Sequence, residues 1–381
     1  MAYPTLNSNE IFAALSNMII SQQVFTDNIK GADLVDKARV DGSLYGDTKL
    51  YFSTDVLKSH EWGADSVATN LLALDRPDAP EQQAIVFDVF RQIRLTVDYY
   101  LTKRAFMDEG TFSSFTSVML GWIRDTKKVY DGTIYNAFIG TIEGASNKKD
   151  FAIDLDANGN SSGENIAMEM ANLFTDMKDY TRDFNDYKQL RRYSEDEIKV
   201  VWNAKYVNAV KKIDLPSIFH NQELESTFVG EVLNSRYFGV TITASNVGTY
   251  SASTPTTGKP IDSDDGSYVP GTNHANGTIR SLIEADVTVS AVSYHVFPGD
   301  EIPAGATIGA SSTNFLYGEV YIEDSSIICK VFTKLPPYMS AFEVGTSFFN
   351  PRSLTENHYL TFGHNTLQYL KAYPLTVVRA E

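Results

Sequence analysis

At 381 residues the chain has room for two or three domains, and a composition 43% hydrophobic and 21% charged marks a core-forming globular protein. The formal net charge of −16 argues against a primary nucleic-acid-binding role, because such a surface repels phosphate. A single cysteine, Cys329, excludes an intrachain disulfide, four-cysteine zinc sites and paired-cysteine redox chemistry. The first basic residue is Lys30 and the apolar stretch Ile11 to Leu15 is short, so no signal peptide is expected. No run reaches the roughly 18 apolar residues of a membrane span, so a soluble protein without a membrane partner is expected.

In chain order, residues 1–36 read as an arm carrying one short amphipathic helix, Glu10 to Ile20. Arg39 to Pro80 is polar, with a strand-like piece at Lys49 to Ser53 and a Pro-closed turn before Pro80. Ile85, Phe87, Val89, Ile93, Leu95, Val97 and Tyr99 then alternate with Asp88, Arg94, Thr96 and Asp98. That period of two predicts one long strand and, with the polar loop before it, an extended two-stranded flap over 37–100. From Thr111 the period turns helical, with Phe112, Phe115, Val118, Trp122 and Val129 on one face and Arg124, Asp125, Lys127 and Lys128 mostly off it; a stop is expected at Gly132. Ile166, Met170, Leu173, Met177 and Tyr180 predict a second helix, entered through a capping box from Ser161 to Glu164. Ile198 to Trp202 reads as a strand that continues through Tyr206 to Val210. Ser245 to Thr278, rich in Ser, Thr, Gly, Pro, Asp and Asn, reads as an exposed insertion. Strands are expected again at Ala285 to Val296 and Asn314 to Ile322. No repeat is present, and the series is mixed α+β rather than alternating βαβ.

Chemical motifs are sparse. No dinucleotide fingerprint follows a strand, and Gly258-Lys259 is followed by Pro260 where a phosphate-binding loop needs Ser or Thr. His60-Glu61 opens like a zinc-protease helix, but Ala64 stands where the second imidazole is required. The histidines at 60, 220, 274, 295, 358 and 364 contain no pair one turn apart. The stretch from Phe151 to Glu164 supports three readings. Asp154, Asp156, Asn158 and Gly159 fit the opening of a calcium loop, although Asn165 occupies the twelfth position and Glu164 falls one short. Gly159-Asn-Ser161-Ser-Gly163 has the spacing of a nucleophile elbow, but a polar turn separates it from the preceding strand. A plain capped turn before a helix is the third. Catalytic, cofactor-binding and metal-binding residues are therefore all expected to be none.

Gln82 to Asp98 with the helix after it resembles the returning strand and spine helix of tailed-bacteriophage major capsid proteins of the HK97-like fold. The stretch from Tyr338 to His364 is similar to the closing segment of capsid proteins from short-tailed, phi29-like phages, and Leu190 to Val210 resembles that group too. The resemblance implies an α+β fold with an N-terminal arm (1–36), an extended loop (37–100), and a central domain with the spine helix (101–145 and 330–381). It also implies an apical domain (146–329) carrying the insertion 245–278. It implies that the final part of the aromatic-rich segment Lys330 to Arg379 lies back against the spine helix, packing on Phe112, Phe115, Val118 and Trp122. The implied function is a self-assembling icosahedral shell around a double-stranded DNA genome, located in the virion and, before assembly, in the host cytoplasm. The implied partners are the chain itself as hexamers and pentamers, portal and scaffolding proteins, and a head decoration protein, with only non-specific proximity to DNA. No lysine–asparagine crosslink is expected. The alternatives are a calcium-dependent decoration or adhesin-type protein, leaning on the Asp154 loop and Ala285 to Ile322, and a serine hydrolase resting on Ser161.

Overall fold

A computed structural model describes residues 34–41, 48–59, 76–98, 109–156, 162–211, 230–252, 259–270 and 277–381. The helix expected at Glu10–Ile20, the His60–Ala64 segment, His220, His274 and residues 157–161 with Ser161 lie outside the described residues. The architecture is mixed α+β, as the element pattern predicts. The described chain forms two compact units, the first within 34–48, 86–135 and 338–366, the second within 49–85, 136–337 and 367–381.

The first unit is a four-stranded sheet backed by the long helix Glu109–Thr141 as far as Tyr135. The strand order is Arg39–Asp41, Tyr338–Asn350, Thr355–Asn365 and Phe87–Val97; the first pairing is parallel and the others antiparallel. Phe87–Val97 keeps the predicted alternation, with Asp88, Phe90, Gln92, Arg94 and Thr96 exposed and the residues between them turned inward. Ile93 and Leu95 on that inner face, with Leu360 and Phe362, close over Ile123, Tyr130 and Ile134 of the helix. The C-terminal segment thus meets the helix as expected, but on a different stripe. Met119, Ile123, Lys127 and Tyr130 are buried, whereas Trp122 is 46% exposed. The side chains of Phe112 and Phe115 lie outside the described residues.

Three boundaries differ from the sequence reading. The run from Ile85 to Val97 is two strands, not one. Glu81–Ile85 pairs with Lys49–Ser53 as a ribbon in the second unit, and Phe87–Val97 pairs with the C-terminal strand Thr355–Asn365. The apolar side of Phe87–Val97 is covered by the helix, as the alternation of one buried and one wet face predicts. The helix runs through Gly132 for 33 residues. One interior glycine costs about 1 kcal/mol, and the buried Tyr135, Ala137 and Ile139 beyond it outweigh that cost. The chain also changes state after Asn203. There the strand Lys199–Asn203 gives way to the helix Ala204–Lys211, because the buried Asn203 side chain accepts from Lys205 N at 3.0 Å and donates to Ile327 O at 2.9 Å.

The second unit is built on a five-stranded sheet ordered Asp150–Ile153, Leu375–Ala380, Ile327–Phe332, Lys199–Asn203 and Glu231–Leu233. Its middle strand, Ile327–Phe332, is buried at every position. The helix Ser162–Lys178 lays Ile166, Met170, Leu173, Phe174 and Met177 on this sheet, at the predicted spacing, while Tyr180 is exposed. The last strand of the chain belongs here, so the aromatic-rich C-terminal segment divides between the two units.

Residues 239–323 add a β-rich lobe around Gly239–Thr241, Ile279–Ser281 and Val320–Glu323. The stretch Ser245 to Thr278 is not all exposed. Ile261 and Tyr268 are 1% and 2% exposed and sit in the lobe's core, with the Tyr268 hydroxyl donating to Glu301 Oε1 at 2.6 Å. Two large side chains at the right places suffice where average composition says otherwise. Ala285 to Val296 is a hairpin rather than one strand, turning at Ser290 and Ala291 with φ of 50° and 64°. That two-residue turn usually takes Asn-Gly, so Ser-Ala carried no signal.

Candidate assembly surfaces

Among the described residues no group of three His, Cys, Asp or Glu side chains could hold a metal ion. Asp154 Oδ1 accepts the Asp156 backbone N–H at 3.0 Å, and the buried Asn165 donates to Leu155 O at 3.0 Å. These contacts are those of a turn tied to the following helix; Asn158, Gly159 and Ser161 lie outside the described residues. Cys329 is fully buried with its Sγ 3.8 Å from Met170 Sδ, and burial pushes its thiol pKa well up. The remaining histidines are apart. His295 lies on the lobe hairpin between Glu284 and Asp286, His358 is half-buried in the first-unit sheet, and His364 is buried in that sheet.

His364 belongs to a buried polar network that sequence reasoning missed. Its Nδ1 donates to Asn365 O at 2.8 Å, which leaves Nε2 to accept from the Tyr130 hydroxyl at 2.9 Å. Burial holds this imidazole below its ordinary pKa, so it stays neutral. Beside it Tyr338 stacks on the His364 ring and donates to Asp131 Oδ1 at 2.6 Å. Asp131 Oδ2 receives Lys127 Nζ at 2.9 Å and Arg39 Nη2 at 3.5 Å. Helix, first strand and the strand Tyr338–Asn350 are thereby joined through one carboxylate, and His364 ties the strand Thr355–Asn365 to the helix through Tyr130. The i, i+4 spacing of Lys127 and Asp131 is the only trace of it in the sequence.

The surfaces of each unit carry apolar side chains that nothing within the unit covers. On the outer face of the first-unit sheet, Phe90, Val344 and Phe348 are exposed, the last by 61%. Cross-strand bonds from Gln92 to Thr361 at 3.1 Å and Thr96 to Asn357 at 2.6 Å link the strands on that face. Phe90 and Phe87 lie edge to face above Gly363, where a Cβ would come within 2.6 Å of the Phe87 ring. Phe349 and Leu354 are also exposed, at the tip of the hairpin. In the second unit the ribbon Lys49–Ser53/Glu81–Ile85 turns Tyr51, Ser53 and the buried Gln83 inward and leaves Leu50, Phe52, Val56 and Leu57 exposed. It is fastened at its base. Gln83 donates to Tyr369 O at 2.7 Å and accepts from Lys371 N at 2.9 Å. Arg182 and the Leu190 N–H hold Asp55, whose pKa the arginine draws down to about 2. Exposed apolar surface on firmly held, extended elements is what a subunit needs to bury surface against other subunits.

The fold has known counterparts. No protein-family model matches the chain, and no curated protein matches it. Among solved structures the chain is similar to the capsid structure of Staphylococcus phage Andhra, at 10% identity and a TM-score of 0.59, with 94% of this chain and 87% of that chain covered. It is also similar to a chain of the structure of head fiber and inner core protein gp22 of native bacteriophage P68, at 10% identity and a TM-score of 0.56, covering 99% and 88%. The fold is the HK97-like fold of phage capsid proteins.

Proposed function

We propose that this chain is the major capsid protein of a tailed bacteriophage, a structural rather than catalytic protein that assembles into the icosahedral shell around a double-stranded DNA genome. The observation that carries this reading is a capsid fold spanning 94% of the chain. The exposed apolar residues on the hairpin Tyr338–Asn365 and on the ribbon support it, because they suit burial between subunits. In this reading residues 1–36 are the arm, 37–100 the extended loop with the ribbon at its base, 101–145 and 330–381 the central domain, and 146–329 the apical domain. The partners are further copies of the chain as hexamers and pentamers, with portal, scaffolding and decoration proteins joining the shell. The sequence of Tyr338 to His364 favours a short-tailed phage. The net charge of −16 keeps the shell from adhering to packaged DNA. Electron microscopy of the overexpressed chain tests the reading: closed shells, tubes or capsomers are expected, and uniformly dispersed monomers overturn it.

A further inference from the structure

A cleft of about 600 Å³ opens in the second unit between the ribbon strand Lys49–Ser53 and the segments at 187–197, 333–334 and 370–373. Its rim carries two exposed cations, each resting on a tyrosine face: Arg192 over Tyr180 at 5.5 Å and Lys334 over Tyr373 at 5.3 Å. Among the described residues neither forms an ion pair with a carboxylate of its own subunit. Arg191, by contrast, is committed to Thr54 O at 2.6 Å and Gln189 Oε1 at 3.2 Å. The one carboxylate of the lining, Glu197, receives the Ser194 backbone N–H at 3.1 Å.

In the lining of the cleft, Thr333 Oγ1 is buried without a hydrogen-bond partner. The buried Tyr193 hydroxyl has the Asn185 side chain as its hydrogen-bonding neighbour, whose carboxamide also holds both backbone groups of Gln189 at 2.7 and 2.8 Å. Buried polar groups in native proteins are nearly always satisfied. Among the described residues of one subunit the two rim cations therefore lack an ion-pair partner, and Thr333 Oγ1 lacks a hydrogen-bond partner.

We propose that the cleft receives an acidic segment of a second copy of the chain, whose carboxylates meet Arg192 and Lys334 and whose polar atoms meet Thr333. The proposal rests on the shell reading above. Charge complementarity selects the occupant: a chain of net charge −16 presents mainly acidic surface to its neighbours, and this cationic rim is where such surface is attracted rather than repelled. Cations already desolvated on one side by tyrosine faces lose less hydration on pairing. DNA is the competing polyanion.

The test uses particles assembled from equal amounts of nitrogen-14 and nitrogen-15 subunits under nuclease treatment, then treated with a zero-length carbodiimide that joins an ammonium to a touching carboxylate. Mixed-isotope crosslinks from Lys334 to an Asp- or Glu-containing peptide are expected. Crosslinks from Lys334 confined to its own copy, or none, overturn the proposal. In parallel, Arg192→Gln with Lys334→Gln, both exposed positions, is expected to lower the assembled fraction at least tenfold with an unchanged melting temperature. Normal assembly of that variant overturns the cleft contact alone and leaves the shell reading standing. An assembly defect seen only when DNA is present assigns the cleft to nucleic acid and also overturns it. Absence of any assembly by the unmodified chain overturns the shell reading and this proposal with it.

Discussion

Each unit buries a lysine, and the two are accommodated in different ways. In the first, Lys127 is 7% exposed and faces a carboxylate, Asp131, that also accepts from Tyr338 and Arg39. In the second, Lys330 is 0% exposed and donates to a carbonyl, Ile142 O, just past the end of the long helix. The carboxylates around it, Asp324, Asp150 and Glu143, are bound by Arg379. Burial without a dedicated counter-ion draws the Lys330 pKa down to about 7, while the three carboxylates pull the other way and Arg379 adds to the fall. The first arrangement fails if its carboxylate is lost; the second stores a charge that the fold would be better without.

The largest expected effect breaks the first arrangement. Asp131→Ala leaves Lys127 buried and unpaired and strands the Tyr338 hydroxyl, a loss of about 3–5 kcal/mol by the precedent of broken buried pairs. Denaturant unfolding followed by tyrosine fluorescence measures it, and Asp131→Asn, which retains an acceptor for Tyr338, should lose less. A loss below that of an ordinary surface substitution means that the network does not hold the sheet to the helix.

Next comes the end of the helix in the second unit. A Cβ at Gly140 would lie 1.9 Å from Tyr237 O, a backbone atom that cannot rotate away. Gly140→Ala should therefore destabilise by about 1–3 kcal/mol through overpacking, despite alanine's better helix propensity. A stabilised variant in thermal melts would show that the 237–238 backbone yields.

Lys330→Met sharpens the comparison because its sign is opposite to that of Asp131→Ala. Replacing an incompletely paired buried charge by an apolar side chain of similar length should leave stability equal or raise it by about 1 kcal/mol near pH 6. In the unmodified protein the folded state gives up the Lys330 proton near pH 7 while the unfolded state keeps it until about 10.5. The unfolded state thus binds more protons across that window, so this residue makes stability rise with pH between 7 and 10.5. The methionine variant should lack that slope in melts recorded across the window. An identical slope in both proteins removes Lys330 as its source.

The smallest effect concerns an exposed cation. On the lobe hairpin, His295 Nδ1 lies 2.6 Å from Asp286 and Nε2 lies 3.1 Å from Glu284, and the first of these raises its pKa above 6.5. The pairing contributes fully below the unfolded value and is lost as pH rises through the folded one. With the ring nearly half exposed, solvent screening keeps the effect slight. A titration of the ring protons by nuclear magnetic resonance should give a midpoint above 6.5, and Glu284→Gln with Asp286→Asn should return it towards that value. An unchanged midpoint in that variant would mean that the carboxylates do not act on the ring.

Periodicity made the helix Ser162–Lys178 and the alternating strand Phe87–Val97 legible, because each has one face that packs and one that does not. It misplaced the stripe of the long helix by one residue. Trp122 looks like core by size, whereas Lys127 looks like surface by charge, and only Asp131 and the strands across from it reverse those roles. The ends of elements were less legible still. The break at Val86, the helix after Asn203 and the turn at Ser290-Ala291 depend on partners more than a hundred residues away or on a backbone twist that ordinary residues can adopt. Of the assembly surfaces, the aromatic richness of Tyr338 to His364 was visible as composition, but its division into buried Leu360 and Phe362 and exposed Phe348 and Phe349 was not.

What this sequence determined by itself was the kind of object: an acidic, cysteine-poor, α+β chain with extended segments, whose order of elements resembles a capsid protein. Those properties are sums or local patterns, and a chain carries them unfolded. Which strand pairs with which, which lysine gains a carboxylate, and which apolar residues remain outside after both units close were decided only by the tertiary structure. Each of these is a choice among distant partners, made by the burial that the whole fold maximises and by the polar groups it must then satisfy.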